Sequence, residues 1–471
     1  MTVAVKDTAR QHTDFISWRI AEWAAGLDYD HLGDRAVQAA KLFLFDSFGC
    51  ALGGSRQPDV QIALDHFKQM GGTPTCTVIV DGFKTNPVDA AFLNALMIRA
   101  MDYNDIYWKQ DPSHPTDIIP AALSICEMKG LGGRELILGT VIGHELEMRF
   151  CEAGIPGVRE YGWHHATLTA FVSPVVAGRL LGLGAEAIQH AIGISASHSC
   201  SLGAVTAGKL TKMKNTVDPM ATRAGVEAAL LAQRGYSGPE HVIDGKEGLT
   251  HVFGHDWDLS RLVDDLPRGP RDHCKILDCG MKSFPIEALS HAPLTAMMKI
   301  VKEHEVNPDD VAEIKVEVIA RAADILGDPA KYRPTSKETA DHSLPYSLAV
   351  GLVDGMVTPL QFKQERIDDP ALIPVMDKIK VVPNEEFEGL FPEFQPSRVT
   401  ITLTDGTTRQ QRVDVPKGDP RDPMTADEIA VKLNALGRDV IGPEKCDQLR
   451  PLIMALEKEP NLDRLFELTT N

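Results

Sequence analysis

The chain is short of basic residues: 48 Lys and Arg stand against 66 Asp and Glu, a formal net charge of −18. Nucleic-acid binding needs clustered cations and a positive field, so that class is excluded. The same field repels an anionic small molecule at long range, and such a ligand would need a local basic pocket. Eight cysteines, at 50, 76, 126, 151, 200, 274, 279 and 446, form no C-x-x-C pair. The nearest approach to a metal pattern, His273-Cys274 followed by Cys279, lacks the spacing of a recognised zinc site, and no metal or other cofactor is expected. Scattered thiols suit a reducing compartment. The longest apolar run, 166–184, is broken by Ser173, Pro174 and Arg179, and reads as a buried helix rather than a membrane span. Residues 1–8 lack the basic and apolar regions of a signal peptide, so the expected location is cytoplasmic. Internal repeats and low-complexity tracts are missing too.

What is there is long: 471 residues exceed a single ordinary core, which predicts two domains. Residues 10 to about 270 read as mostly helical, with segments at 36–52, 185–196 and 223–233 ending at glycines or turns. The pattern changes after Cys279. Residues 312–318 alternate polar and apolar, as a half-buried strand should, and 397–413 read as a hairpin with Asp405-Gly406 in a type I′ turn. Helices are expected near 287–304 and 340–356, a short strand near 377–382, and helix again from Thr425.

The most informative stretch is 101–120, MDYNDIYWKQDPSHPTDIIP. A helical run delivers Asp102 and Asp105 to its C-terminal end, on one face if the helix persists that far. His114 follows, held between Ser113 and Pro115. Carboxylates facing a histidine are acid/base equipment, with ordinary pKa values of roughly 4 and 6.5 that surroundings can tune. Gly162-Trp163-His164-His165 puts two histidines at the entrance of the apolar run, and only one of them can face a given pocket. Lys209, Lys212 and Lys214 form a basic cluster able to hold a di- or tricarboxylate. Gly203 to Lys209 nearly matches a phosphate-binding loop, but Leu210 stands where Ser or Thr would hold magnesium, so nucleotide hydrolysis is excluded. Lys282-Ser283-Phe284-Pro285 opens the second segment, where a lysine could clamp an anion in an inter-domain cleft, and His291 follows. Asp341-His342-Ser343 is no triad, because consecutive residues cannot converge.

In chain order, Met-Asp-Tyr-Asn-Asp with His-Pro-Thr-Asp, Gly-Trp-His, the Lys214 segment, Lys-Ser-Phe-Pro and Glu-Thr-Ala-Asp-His-Ser-Leu-Pro-Tyr together resemble the MmgE/PrpD family. That family includes 2-methylcitrate dehydratases, cis-aconitate decarboxylases and an iminodisuccinate epimerase. The resemblance implies a mainly α fold: a large all-helical domain formed by both chain ends (1–277 and 418–471) and a smaller α+β lid (278–417), as a homodimer. It implies a metal-free active site in the cleft, with Asp102, His114 and His164 as catalytic residues and Lys214, Lys282 and Tyr346 as substrate-binding ones. Ile106 stands where many relatives have Thr and His144 where many have Tyr. The segment 215–218 differs from the decarboxylase branch, and Asn104 looks more like the dehydratases.

The expected activity is therefore a metal-independent hydro-lyase acting on a tricarboxylate such as 2-methylcitrate or citrate. His114 or Asp102 would exchange the proton α to a carboxylate, and His164 would protonate the departing hydroxyl. Epimerisation or decarboxylation of a di- or tricarboxylate, iminodisuccinate or cis-aconitate among them, is the alternative. A catalytically dead binding relative is disfavoured by the simultaneous presence of all five acid, base and cationic residues.

Overall fold

The computed structural model describes residues 11–207, 210–253, 256–391 and 393–471. Helices dominate it. Most of the buried apolar side chains fall into two clusters, one running from Ile16 to Met281 and resuming from Met424 to Leu468, the other from Ile286 to Val413.

The first cluster is built on helices α1 (Asp34–Gly54), α2 (Pro87–Arg99), α3 (Gly133–Ala153), α4 (Ala166–Leu181) and α5 (Val217–Gln233). Asn86 starts α2, its side-chain oxygen accepting the Asp89 amide at 2.9 Å, and Pro87 gives up only an amide that the first turn leaves unpaired. Every residue of α2 from Asp89 to Arg99 is buried, so this helix has no solvent face. α4 lies along α5, and the crossing is close. A Cβ on Gly225 of α5 would fall 2.0 Å from the Ser173 hydroxyl of α4, so no larger residue fits without moving the helices apart.

α2 ends at Arg99, which corrects the expectation of a helix carrying both Asp102 and Asp105. Asp102 has a left-handed backbone with φ of +52°, and Asp105 opens strand β1 (Asp105–Trp108). β1 lies between β2 (Pro112–Ser113) and β3 (Gly280–Met281) in a small antiparallel sheet, with Asp105 opposite Met281. That pairing carries Lys282, whose amide donates to the Asn104 carbonyl at 3.1 Å, to the turn after α2.

The second cluster packs α6 (His291–His304) against a four-stranded sheet, and α7 (Leu344–Asp354) against α6. Its strands are β4 (Val311–Val318), β5 (Ile379–Pro383), β6 (Ser397–Leu403) and β7 (Thr408–Val413), ordered β7-β6-β4-β5 with only β4–β5 parallel. The alternation of β4 buries Ile314, Val316 and Val318 and turns Ala312 and Lys315 outward. The hairpin is present, but its turn differs from type I′. Only Gly406 has positive φ (+86°), and its amide donates to the Leu403 carbonyl at 3.0 Å. That is a type I turn followed by a left-handed glycine, which fits a longer loop than Asp405-Gly406 alone.

The chain then returns to the first cluster through α8 (Ala426–Ile441), which lies against α1. Thr425 and Glu428 cap its start reciprocally, the Glu428 amide donating to the Thr425 hydroxyl and the Glu428 carboxylate accepting the Thr425 amide. Lys432 of α8 is buried. It pairs with Asp46 of α1 at 2.8 Å and donates to the carbonyls of Tyr103 and Lys282. One ammonium thus ties the return helix to both loops that carry Asp102 and Lys282. Replacing Lys432 with Met strands the Asp46 carboxylate, at a cost of about 3–5 kcal/mol. The expected result is a lower urea midpoint, largely recovered by adding Asp46→Leu.

Candidate active site

A cavity of about 130 Å³ lies where the two clusters meet, with Arg99, Asp102, His114, His164, Lys214 and Lys282 on one side and Ile325, Lys331 and His342 on the other. At this volume it suits a small metabolite, well below the roughly 300–1,000 Å³ of drug-sized ligand sites.

Asp102 is its electrostatic centre. The left-handed turn points its carboxylate back at Arg99, with which it forms an ion pair, while Lys214 reaches it at 2.9 Å and Lys282 at 2.8 Å. Lys282 also donates to the Asp102 carbonyl at 3.1 Å. Burial pushes the Asp102 carboxyl up, but Arg99, Lys214 and Lys282 together hold it well below the usual carboxylate range. Burial acts the other way on the lysines: Lys214 is lowered to about 8, against the pull of Asp102, and Lys282 is lowered as well. Arg99 further reaches Asp117 at 3.4 Å and Asp218 at 4.0 Å.

The two predicted histidines are both buried and carry their protons on opposite nitrogens. His114 Nδ1 lies 2.7 Å from the Asp105 carbonyl, which can only accept, so Nδ1 bears the hydrogen and Nε2 is left with its lone pair. His164 Nδ1 accepts the Ala166 amide at 3.2 Å, so its hydrogen sits on Nε2. Burial, with Arg99 and Lys282 near His114 and with His165 near His164, holds both imidazoles well below their ordinary pKa. Both are neutral at pH 7.

Behind this layer lie further carboxyls. Asp105 accepts the Thr116 amide at 3.0 Å and the Thr116 hydroxyl, yet burial still raises its pKa to about 7. Burial also lifts Asp117 well above the usual range, assisted by the nearby carboxylates of Asp218 and Asp105. Asp218 itself faces His165 Nε2 at 3.3 Å and is held low, with His165, His164 and Arg99 overcoming its burial.

Five of the six residues singled out in the sequence therefore meet at one cavity. Tyr346 does not. It sits in the second apolar cluster, fully buried, with its hydroxyl donating to the Gln361 carbonyl, and it does not line the cavity. The lysine cluster also disperses: Lys214 turns inward, Lys212 is exposed, and Gly208 and Lys209 lie outside the described residues. Ser343 caps α7 rather than facing His342, its hydroxyl accepting the Tyr346 amide at 3.0 Å. His273 pairs with Asp278 at 2.9 Å while Cys279 faces Asp105, so the His-Cys-Cys set, whose spacing matches no recognised zinc site, does not converge. Sequence reasoning passed over Arg99, Asp117 and Asp218. Arg99 carried a signal: an arginine closing a helix that is apolar over most of its length is buried, and a buried arginine needs carboxylates.

The comparison with known families decides the assignment. The N-terminal domain of MmgE/PrpD proteins matches residues 18–262, and the C-terminal domain matches residues 284–458. The chain belongs to the MmgE/PrpD family. Among curated members of this family, it is 25% identical to a cis-aconitate decarboxylase of Aspergillus terreus, over 96% of this chain and 95% of that protein. It is 25% identical to the cis-aconitate decarboxylase of Mus musculus, over 94% and 90%. It is 24% identical to the 2-methylcitrate dehydratase of Salmonella typhi, over 81% of each. These MmgE/PrpD relatives are lyases of two kinds.

The charge balance makes a pH prediction. Asp102 has a depressed carboxyl pKa, so its stabilisation is complete above the unfolded value of about 4 and is lost as pH falls toward the folded value. Asp102→Asn leaves three buried cations without their shared partner and should cost about 3–5 kcal/mol at pH 7. The stability gap to the parent protein, followed by urea unfolding, narrows on acidification below about pH 4.

Proposed function

We propose that this site removes the elements of water from a tricarboxylate such as 2-methylcitrate or citrate, without a metal. The observation that supports this reading is the pairing, over one small cavity, of a bare imidazole nitrogen on His114 with the ammonium groups of Lys214 and Lys282. His114 Nε2 takes the proton from the carbon α to a carboxylate, and the C–H electron pair moves onto that carboxylate as an enediolate. Lys282 and Lys214, oriented by Asp102, stabilise the developing charge. The C–O bond at the neighbouring carbon then breaks and the hydroxyl leaves with a proton. His164 hydrogen-bonds the leaving oxygen through Nε2–H, but as a neutral imidazole it is a poor acid. Lys214, with a pKa near 8, supplies the proton. Asp102, low in pKa and saturated by three cations, acts as a positioning residue and not as the base. After release of the alkene, His114 loses its proton to solvent and Lys214 regains one.

On this reading the second apolar cluster, residues 278–417 with its sheet, is a lid domain closing the cleft through Lys331 and His342, and the enzyme is a cytoplasmic homodimer. No helix among the described residues is long and apolar enough to cross a membrane. Decarboxylation of an unsaturated tricarboxylate is the second reading, favoured by the full-length match to cis-aconitate decarboxylases. There the electron pair freed as CO₂ leaves shifts through the C=C bond onto a remaining carboxylate as an enediolate, the same cations stabilise that charge, and a protonated group returns hydrogen to carbon.

Proton NMR in D₂O of EDTA-treated enzyme with 2-methylcitrate, citrate, cis-aconitate or iminodisuccinate separates the readings. The dehydratase produces vinylic signals from a hydroxy acid. Itaconate from cis-aconitate indicates the decarboxylase, and deuterium uptake without elimination indicates an epimerase. No change with any of the four contradicts the proposal. Lys214→Arg keeps the charge but not a transferable proton, so it should retain KM within severalfold while losing about 10²-fold or more in kcat.

A further inference from the structure

Away from this cavity, at the start of the described chain, three ligating atoms converge from segments 229 residues apart. His12 Nδ1 lies 3.2 Å from Glu240 Oε2 and 3.4 Å from His241 Nε2, and His241 Nε2 lies 4.0 Å from Glu240 Oε2. Bonds of about 2.0–2.1 Å to imidazole nitrogen and carboxylate oxygen at tetrahedral angles put ligand atoms about 3.3 Å apart. Two of the three separations match that spacing, and the third needs only a small movement of a half-exposed glutamate.

The three side chains are placed by what surrounds them. Phe15 stacks on the His241 ring at 3.4 Å between centroids and 8° between planes, and Trp18 meets the His12 ring edge-on at 4.7 Å. The backbone of Glu240 is fixed from below: its carbonyl accepts from the Ser17 hydroxyl and, at 2.9 Å, from the fully buried Gln189 amide. The Ile16 amide donates to Asp244 at 3.0 Å. The segment 12–18 and the loop 240–244 are thus already docked, so a cation would meet an assembled set and not have to gather it. Side-chain exposures of 39%, 46% and 37% leave an approach from solvent, from which water would supply the fourth ligand.

We propose that His12, Glu240 and His241 form a structural zinc site that pins the start of the helical body to the loop after α5. Two imidazoles and a carboxylate suit Zn²⁺ among the divalent cations, whereas magnesium and calcium prefer all-oxygen sets. None of the three residues lines the catalytic cavity, so the metal stabilises the fold and takes no part in turnover.

Untagged protein, stripped with EDTA and dialysed, is titrated with ZnCl₂ by calorimetry. The expected result is submillimolar binding, with a melting temperature that rises with Zn²⁺ concentration. His12→Ala/His241→Ala should abolish both effects and leave turnover unchanged. Glu240→Gln, which keeps the shape, should weaken binding by roughly tenfold or more. Co²⁺ in place of Zn²⁺ should give the visible bands of a four-coordinate ion in the parent protein and lose them in the double variant. Equal affinity in the parent and both variants would assign the ion to another cluster and overturn the proposal, and so would the absence of binding to the parent protein.

Discussion

Three cations buried in one place would repel one another and pay a large desolvation cost, and the Asp102 carboxylate makes the arrangement possible. Arg99, Lys214 and Lys282 come from three distant parts of the chain and converge on its two oxygens. Each of the surrounding features serves that convergence. The left-handed turn at Asp102 aims the carboxylate backward at the end of α2, the β1–β3 pairing delivers Lys282, and Lys432 of the return helix holds the carbonyls on both flanks. Removing the anion would leave uncompensated buried charge, which costs far more than the net worth of the pairs themselves.

The same electrostatics set the protons of the site. Nearby cations and burial keep His114 and His164 neutral, and two backbone groups, the Asp105 carbonyl and the Ala166 amide, choose opposite tautomers for them. One imidazole is left as an acceptor and the other as a donor, facing a common space. Asp105 accepts from Thr116 through its carboxyl while its backbone carbonyl orients His114, so the Thr116 contact anchors the residue that sets the His114 tautomer. An incoming polyanion would raise the pKa of both histidines and both lysines together, so on the proposed reading substrate binding and proton transfer would be coupled through the same field.

Much of this was legible in the sequence, for different physical reasons. Helices α1, α5 and α8 and strands β4, β6 and β7 follow from periodicity and turn residues, which act locally. Asp102, His114, His164, Lys214 and Lys282 were found through ordered motifs that resemble a family, and no spacing along the chain shows that they meet. The misplacements share one cause, in that tertiary contacts decide what local pattern leaves open. Past Arg99 the chain leaves the helix, and Asp102 turns back left-handed to pair with that side chain, which Asp117 and Asp218 reach from elsewhere in the fold. Tyr346 sits in a motif that contributes Asp341 and His342 to the neighbourhood of the site, but its own position on α7 faces the second apolar cluster. Asp218 was visible only as part of the segment 215–218, and nothing in that segment indicates His165 as its partner.

The proposed chemistry rests on a bare Nε2 at His114 and a protonated one at His164, with both imidazoles neutral at pH 7. Long-range proton–nitrogen NMR of protein labelled with ¹⁵N at histidine tests it directly, with His114→Ala and His164→Ala spectra supplying the assignments. The expected spectra show a Nδ1–H pattern for His114 and a Nε2–H pattern for His164. An imidazolium at either position at pH 7, or the same tautomer at both, would contradict it.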